Sequence, residues 1–357
     1  VVVEGHGAAP PFGDQEEDLD RVLGGATRMR GRHREIRDAR PEDHVAEVED
    51  AVTIAAEIGY PVMVKPSGGG GGIGMAVAAD EQELRAAFET ARTRAERFFG
   101  DSRILLERHI ASARHVEIQI LGLADGTVIA LGERDCSVQR RHQKVAEESP
   151  SPGVSDELRA RMVAAAIRAG ETVAYRNAGT VECLVDTERG DFVFLEMNAR
   201  LQVEHPVTEE VHGIDLVEAQ LRIAAGLPVQ FDPETLQREG HAIELRIYAE
   251  DPKRFLPGPG EITQWDAPSG PGVRLDAGYR EGNRVTVTYD PLMAKLILRG
   301  ATRDEAIDRA VRAVEEFKVA GPKSNLAFFR ELLGDAEFRS GEYDTGLIAR
   351  MQSKAQA

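Results

Sequence analysis

An α/β fold is what this sequence predicts, on three observations. The run Phe192-Val193-Phe194-Leu195-Glu196-Met197-Asn198-Ala199-Arg200-Leu201-Gln202-Val203-Glu204-His205-Pro206 alternates with a period of two, as a half-buried strand does. Tyr60-Pro61-Val62-Met63-Val64-Lys65 reads as a strand that enters five glycines, Gly68 to Gly72, and leaves them as a second short strand, Met75-Ala76-Val77-Ala78. Helices with apolar stripes and N-terminal caps are interleaved with such strands, beginning at Asp80 with Glu83, at Ser155, and at Thr302 with Glu305.

Composition narrows the partners. A chain of 357 residues holds two or three domains and an ample core. A formal net charge of −17 argues against nucleic acid and against an anionic membrane surface. No apolar run is long enough to span a bilayer, and the N-terminus has no charged-then-apolar signal pattern. Cys136 and Cys183 give neither a disulfide framework nor a zinc spacing, which points to a reduced, cytoplasmic protein. The first residue is Val rather than Met, a hint of a fragment or a misread start.

Residues 1–44 are rich in Gly, Arg, His, Asp and Glu and hold neither period, so they read as disordered or non-native sequence. Order is expected from about Val45, with Val48, Val52, Ala55 and Ala56 on one face of a helix that stops at Gly59. Gly69, Gly71 and Gly74 formally satisfy G-x-G-x-x-G. That fingerprint must open directly into a helix, and here a strand follows. No Gly-Lys-Ser/Thr closes the run either, so it is not a P-loop. What remains is a flexible flap whose bare N–H groups, those of Gly70, Gly71 and Gly72 among them, can close over phosphates, with Lys65 reaching a phosphate oxygen.

Further on, Ile104–Ile110 reads as a strand with a polar end, and Arg114–Ile120 alternates cleanly, with His115 a surface histidine on this pattern alone. Glu133–Lys144 is a basic cluster in an acidic protein and reads as an anion site. The helix opened by Ser155 runs to about Val173. Thr180–Asp186 is a strand expected to pair with the 192–203 run. A three-residue loop, Glu188-Arg189-Gly190, would set Glu182 opposite Glu196. Facing carboxylates repel, and a divalent cation between them relieves the repulsion; hard oxygen ligands suit Mg²⁺ or Mn²⁺. On the polar face of the long run, Glu196, Asn198, Arg200, Gln202 and Glu204 follow one another, and Pro206 ends the pairing. Glu204 would then lie four residues from Arg200 on one strand face, apart from the Glu182/Glu196 pair. Leu216–Ala225 reads as a helix. His241–Asp251 opens a new domain as a strand, and further strands are expected at 260–265, 272–275, 285–288 and 292–298. The helix from Thr302 to about Phe317 should bury Ile307, Ala310, Val311, Val314 and Phe317.

Two gapless segments, Glu196–Glu209 and Gly240–Pro252, resemble the signature of biotin carboxylases in the ATP-grasp superfamily, and the resemblance runs from about residue 45 to the end. It implies an ATP-grasp core with a glycine-rich lid, followed by a mainly antiparallel C-terminal domain. The family's further N-terminal domain, of roughly 100 residues, is not recognisable. The implied domains are 1–44 unassigned, 45–110 a lid subdomain, 111–239 the core, 240–347 the C-terminal domain and 348–357 a tail.

The resemblance also implies roles. Glu107, Arg108, Ile110 and Leu184 would line the nucleotide, with His115 a nucleotide-binding histidine. Gln139, His142 and Lys144 would hold the triphosphate and bicarbonate. Glu182, Glu196 and Asn198 would hold the metal. Arg200 would clamp bicarbonate beside Gln202, Val203 and Lys144, Glu204 would be the general base, and Arg246 would face the biotin ring. The implied activity is ATP- and bicarbonate-dependent carboxylation of biotin on a separate carrier protein, as the α-subunit type of an acetyl-CoA or propionyl-CoA carboxylase. A carboxyltransferase subunit is an implied partner, and a homodimer the implied assembly. The usual Arg of the glycine lid is Ile73 here. Two alternatives stand beside this reading. One is another ATP-grasp ligase, of carbamoyl-phosphate or D-alanine type, against which Gly240–Pro252 speaks. The other is a non-catalytic subunit that only associates with carboxylase parts.

Overall fold

The computed structural model describes residues 44–67, 74–141 and 143–356. The expectations for residues 1–43, for Gly70, Gly71 and Gly72, and for His142 lie outside the described residues. The described residues divide into two compact units, with the boundary in the sequence between 111 and 112.

In residues 44–111, β1 (His44–Val45), α1 (Val48–Ile58), β2 (Val62–Pro66), β3 (Ala76–Ala78), α2 (Glu81–Phe99) and β4 (Ile104–Arg108) form a four-stranded antiparallel sheet, ordered β1-β4-β2-β3, and two helices. The helices bury Ala51, Ala55, Leu84 and Phe88 in one core with Val62, Val64 and Ile104 of the sheet. The signals expected at the helix ends are used. Gly59 caps α1, and the Asp80 carboxylate accepts from the Glu83 N–H while Glu83 accepts from the Ala79 N–H.

Residues 112–356 are built on an eight-stranded antiparallel sheet. Its strands are β5 (Ala113–Gly122), β6 (Val128–Arg140), β7 (Gln143–Ser149), β8 (Asn177–Asp186), β9 (Asp191–Asn198), β10 (His241–Tyr248), β13 (Val273–Ala277) and β15 (Leu292–Gly300), ordered β13-β15-β10-β7-β6-β5-β8-β9. The short strands β11 (Gly260–Glu261) with β14 (Arg284–Val285), and β12 (Gln264–Asp266) with β16 (Lys318–Ala320), form two small ribbons. Only Val285 of the expected 285–288 strand is paired, and Val287 is exposed. Helix α3 (Asp156–Thr172), capped by Ser155, covers β5 and β6; α4 (His205–His212) and α5 (Leu216–Ala224) follow the central hairpin. Helix α6 (Arg303–Glu316) carries the expected apolar stripe into the core around β10 and β15, and α7 (Leu326–Gly334), α8 (Ala336–Ser340) and α9 (Leu347–Gln356) complete that layer.

Three local expectations are corrected. The loop of the central hairpin has four residues, 187–190, because Asp186 pairs with Asp191; Gly190 takes the left-handed turn at φ 62°. Glu182 nevertheless pairs with Glu196, because a bulge at Leu195 shifts the register by one. The bulge also resets the alternation, so that Phe192, Phe194 and Met197 all pack on the α3 side while Leu195 is exposed. The extended run ends at Asn198, not at Val203, and Pro206 lies in the first turn of α4, where a missing N–H costs nothing. Finally, β5 is buried on both faces, since it lies inside the sheet with cores or site residues on either side.

Candidate functional site

The site grows from the register of neighbouring strands. Arg134 of β6 lies opposite Glu117 of β5, Glu117 opposite Glu182 of β8, and Glu182 opposite Glu196 of β9. One cation and three carboxylates therefore form a row across four strands, about 4.8 Å apart from strand to strand. Directly beside it, Gln119, Thr180 and Asn198 form a parallel row of neutral polar groups.

Three like charges in a row are tolerable only if cations reach them. Arg134 is fully buried and donates to Glu117 Oε1 at 2.5 Å, Gln119 Oε1 at 2.6 Å, Thr208 Oγ1 at 3.0 Å and Thr180 Oγ1 at 3.1 Å. Lys144 Nζ donates to Glu117 Oε2 at 2.7 Å, Glu182 Oε1 at 3.0 Å and Glu204 Oε1 at 2.7 Å. The His115 ring nitrogen Nε2 lies 2.9 Å from Glu182 Oε2, so His115 is a buried partner of a carboxylate and not a surface group. Burial alone would raise the Glu117 carboxyl, but Arg134 and then Lys144 outweigh it and hold it at about 2. Glu182 is likewise held at about 2, with the His115 hydrogen bond and Lys144 overcoming burial.

The segment after β9 wraps back over this row. Gln202 Nε2 donates to Glu182 Oε1 at 2.9 Å, and Arg200 Nη1 donates to Gln202 Oε1 at 3.2 Å. Arg200 Nη2 donates to Asn198 Oδ1 at 3.1 Å. Arg200 itself is exposed, so an anion from solvent can reach its guanidinium in exchange for the contacts to Gln202 and Asn198. Glu204 is completely buried at the N-terminus of α4, and its Oε2 accepts from Arg246 Nη2 at 3.0 Å. The expectation that Arg200 and Glu204 share a strand face fails because the strand has ended. An irregular turn joins them instead, through Gln202, Glu182 and Lys144. Glu204 is also not apart from Glu182, since one ammonium binds both. Lys295 Nζ fixes that turn by donating to the Val203 carbonyl at 2.9 Å.

The donor set suits a hard divalent cation. The Asn198 Nδ2 group lies 3.1 Å from Glu182 Oε1 and 3.3 Å from Glu196 Oε1. Turning that amide over, at the cost of the Arg200 hydrogen bond to Oδ1, presents its oxygen between the two carboxylates, an all-oxygen set for Mg²⁺ or Mn²⁺. His115, Glu117 and Glu182 form a second set, with ligand atoms within 4.8 Å of one another. The repulsion argument for a cation is weaker than the sequence suggested, because Lys144, His115 and the amides of Asn198 and Gln202 already serve Glu182.

Of the remaining expected residues, Leu184 lies opposite His115 in the β5–β8 ladder, and Gln139 Nε2 reaches the Cys136 carbonyl at 3.3 Å. In residues 44–111, the Lys65 ammonium pairs with the Glu107 carboxylate, Arg108 lies opposite Val62, and Ile110 follows β4. Three residues escaped the sequence reading: Glu117, Arg134 and Glu147, the last accepting from Arg246 Nε at 2.6 Å. The alternation of His115, Glu117 and Gln119 along β5 was the available signal for Glu117. Arg134 was read as part of a basic cluster forming an anion site; it belongs to a strand and is fully buried.

Comparisons with known proteins agree with this architecture. Residues 29–231 match the family described as carbamoyl-phosphate synthase L chain, ATP binding domain, and residues 244–350 match the biotin carboxylase C-terminal domain. The first match starts earlier than residue 45, where the sequence reading put the onset of resemblance. Biotin carboxylase 2 of Bacillus subtilis is 49% identical over 86% of this chain and 69% of its own length. The α chain of human mitochondrial propionyl-CoA carboxylase is 45% identical over 85% of this chain and 42% of its own. Among solved structures, a Campylobacter jejuni biotin carboxylase complex with a β,γ-ATP ligand superposes with a TM-score of 0.85 at 38% identity, covering 94% of this chain and 73% of that one. The biotin carboxylase domain dimer of Hydrogenobacter thermophilus 2-oxoglutarate carboxylase, with MgADP, ADP and bicarbonate, gives 0.84 at 38% identity, covering 93% and 72%.

Proposed function

The chain belongs to the biotin carboxylase family of ATP-dependent ligases, and from that premise we propose how its residues divide the carboxylation of biotin. ATP, Mg²⁺ and a biotin carried on a partner protein are the family's cofactors. When bound, the metal neutralises phosphate oxygens, and Glu182, Glu196 and Asn198 are the residues that would hold it.

Arg200 receives bicarbonate, because its exposed guanidinium can donate two parallel N–H bonds to a planar anion. Glu204 takes the bicarbonate proton. A bicarbonate oxygen then attacks the γ-phosphorus of ATP and the bond to ADP breaks, giving carboxyphosphate. Lys144 keeps its positive charge beside Glu204 and offsets charge built up on the transferred group. Arg246 faces the biotin ureido oxygen and stabilises the negative charge that forms as N1′ attacks the carboxyl carbon of carboxyphosphate; the carbon–oxygen bond to phosphate breaks, and the departing phosphate takes the N1′ proton. Lys65, Glu107, Arg108, Ile110, His115, Gln139 and Leu184 are assigned to the nucleotide side, and the 45–110, 111–239 and 240–347 division to lid, core and C-terminal domain. The single observation that carries this reading is Glu204, a fully buried carboxylate held between Lys144 and Arg246. The chain would serve as the biotin carboxylase component of an acyl-CoA carboxylase in the cytoplasm, with a biotinylated carrier protein and a carboxyltransferase as partners, and as a homodimer.

The test is phosphate release from Mg-ATP with and without bicarbonate and free biotin. The parent should need bicarbonate, and Glu204→Gln should lose about 10²–10⁴-fold in that rate while Mg-ATP affinity changes little. A variant that keeps most of the parent's turnover would defeat the general-base role. Release that ignores bicarbonate and biotin would point to another ATP-grasp ligase.

A further inference from the structure

Behind Arg246 lie two buried carboxyl groups that the division of labour above leaves unused. Glu147 of β7 and Glu244 of β10 are direct partners across the ladder, and Arg246, two residues along β10, projects to the same face. Glu147 is 1% exposed and Glu244 0%. Arg246 Nε donates to Glu147 Oε1, but Glu147 Oε2 and both oxygens of Glu244 have no hydrogen-bond partner among the described residues. Two adjacent carboxylates in that setting cannot both stay ionised without a cation for each.

The surrounding charges supply a cation for only one. Arg246 is shared between Glu147 and Glu204. Lys144 is committed to Glu117, Glu182 and Glu204. Lys295, opposite Arg246 on β15, donates to the Val203 carbonyl and lies 3.5 Å from Asp276. From α4, His205 is turned to the Gln202 carbonyl and Glu209. The Tyr248 phenol, further along β10, acts on Arg246.

We propose that Glu147 and Glu244 hold one proton between them and together position Arg246. Glu244 carries the proton and offers it to Glu147 Oε2, which pairs two of the three unpartnered oxygens. Glu147 carries the charge and anchors the Nε–Nη2 edge of the guanidinium, 2.6 Å from Nε and 2.5 Å from Nη2, which holds the group between Glu147 and Glu204 and turned to biotin. Glu147 and Glu244 are positioning residues, and the idea rests on the reading that Arg246 faces biotin. The electrostatics of the pocket run the same way. Burial, then Glu147, pushes the Glu244 carboxyl well up. Burial raises Glu147 to about 7 against the pull of Arg246, with Glu204 adding to the rise. Glu147 is therefore ionised above about pH 7 and takes up a second proton for the pair below it. Arg246 then keeps only Glu204, and biotin-dependent turnover declines as pH falls.

The experiment uses the full chain, Glu147→Gln, Glu244→Gln and Glu147→Asp, with Mg-ATP and bicarbonate and with or without free biotin. The readout is the ratio of biotin-stimulated to biotin-independent phosphate release between about pH 6 and 9. In the parent the ratio should fall by up to about tenfold per pH unit below about 7. Glu147→Gln should lose that acid limb and lower the ratio about tenfold at high pH, with partial recovery in Glu147→Asp. Glu244→Gln, an isostere of the protonated acid, should keep the limb. An acid limb that persists in Glu147→Gln, or equal loss of both rates in that variant, overturns the proposal. Infrared spectroscopy supplies a readout that needs no turnover. The C=O stretch of a protonated carboxyl should be present in the parent at about pH 8 and missing in Glu244→Gln; a parent without it also overturns the proposal. Arg246→Gln tests the parent reading separately: an unchanged ratio there removes Arg246 from biotin and leaves the shared proton to be judged by the infrared band.

Discussion

Replacing Lys144 with Met would remove one charge from the centre of the site and keep most of its bulk. The side chain is 13% exposed, and its ammonium binds three carboxylates at 2.7, 3.0 and 2.7 Å. Each of those carboxylates keeps another partner: Glu117 keeps Arg134, Glu182 keeps His115 and Gln202, and Glu204 keeps Arg246. The loss is therefore that of one buried partner and not collapse of the network, about 3–5 kcal/mol at neutral pH. In a chain of 357 residues, that is a fall in midpoint of roughly 4–7 °C. The sign of the pH dependence follows from the carboxylates. Without Lys144 their folded-state pKa values rise, so the folded variant binds more protons than the folded parent as pH falls, and its deficit shrinks. Thermal unfolding of both proteins at about pH 7.5 and pH 5 reads this out. A midpoint equal to the parent's at the higher pH, or a deficit that does not narrow at the lower one, would refute the idea that Lys144 holds the carboxylate row together.

Two other outcomes are expected. Glu196→Lys places an ammonium where the row ends in an exposed carboxylate; stabilisation by Mg-ATP in a thermal shift assay should disappear, and unchanged stabilisation would count against the Glu182/Glu196/Asn198 set. Glu148, buried with His241, Arg303 and Tyr343, is held at about 2 because the His241 hydrogen bond and Arg303 outweigh burial. Its folded pKa is below the unfolded value of 4.5, so its contribution, roughly 3 kcal/mol, is present above that value and is lost as pH falls toward 2. Denaturant unfolding of Glu148→Gln should be weaker than the parent at neutral pH and converge with it in acid; a constant gap would contradict this.

The sequence made the periodic elements readable, and it misled where the decisive fact was a relation between strands. Capped helices were legible, α3 and α6 at both ends and α2 at its start, because an N-cap oxygen and an apolar stripe are local features. The Glu182–Glu196 pairing was anticipated from the wrong loop. A four-residue turn and a bulge at Leu195 together give the register that a three-residue turn would have given alone, and no residue in the run announces a bulge. Pro206 was ambiguous for a physical reason: a missing N–H ends a ladder and equally suits the first turn of a helix.

Burial of charge was the larger difficulty. A polar residue alternating with apolar ones on a strand ordinarily faces water, and that rule hid Glu117, Arg134 and Glu147. The rule assumes a sheet with one wet face. Here the middle strands are covered on both sides, so their polar alternates are forced into the interior, where each must find a partner. Counting charges along the row then says where chemistry can occur. Glu117 is committed to Arg134 and Lys144, and Glu182 to Lys144 and His115. Glu204 sits beside the row at the N-terminus of α4, tied to two cations that also reach toward bound substrates in the proposed mechanism. In the proposed mechanism both partners of Glu204 turn to substrate, whereas Glu117 keeps Arg134 and Glu182 keeps His115; on that proposal Glu204 is the carboxylate that exchanges a proton as the substrate arrives.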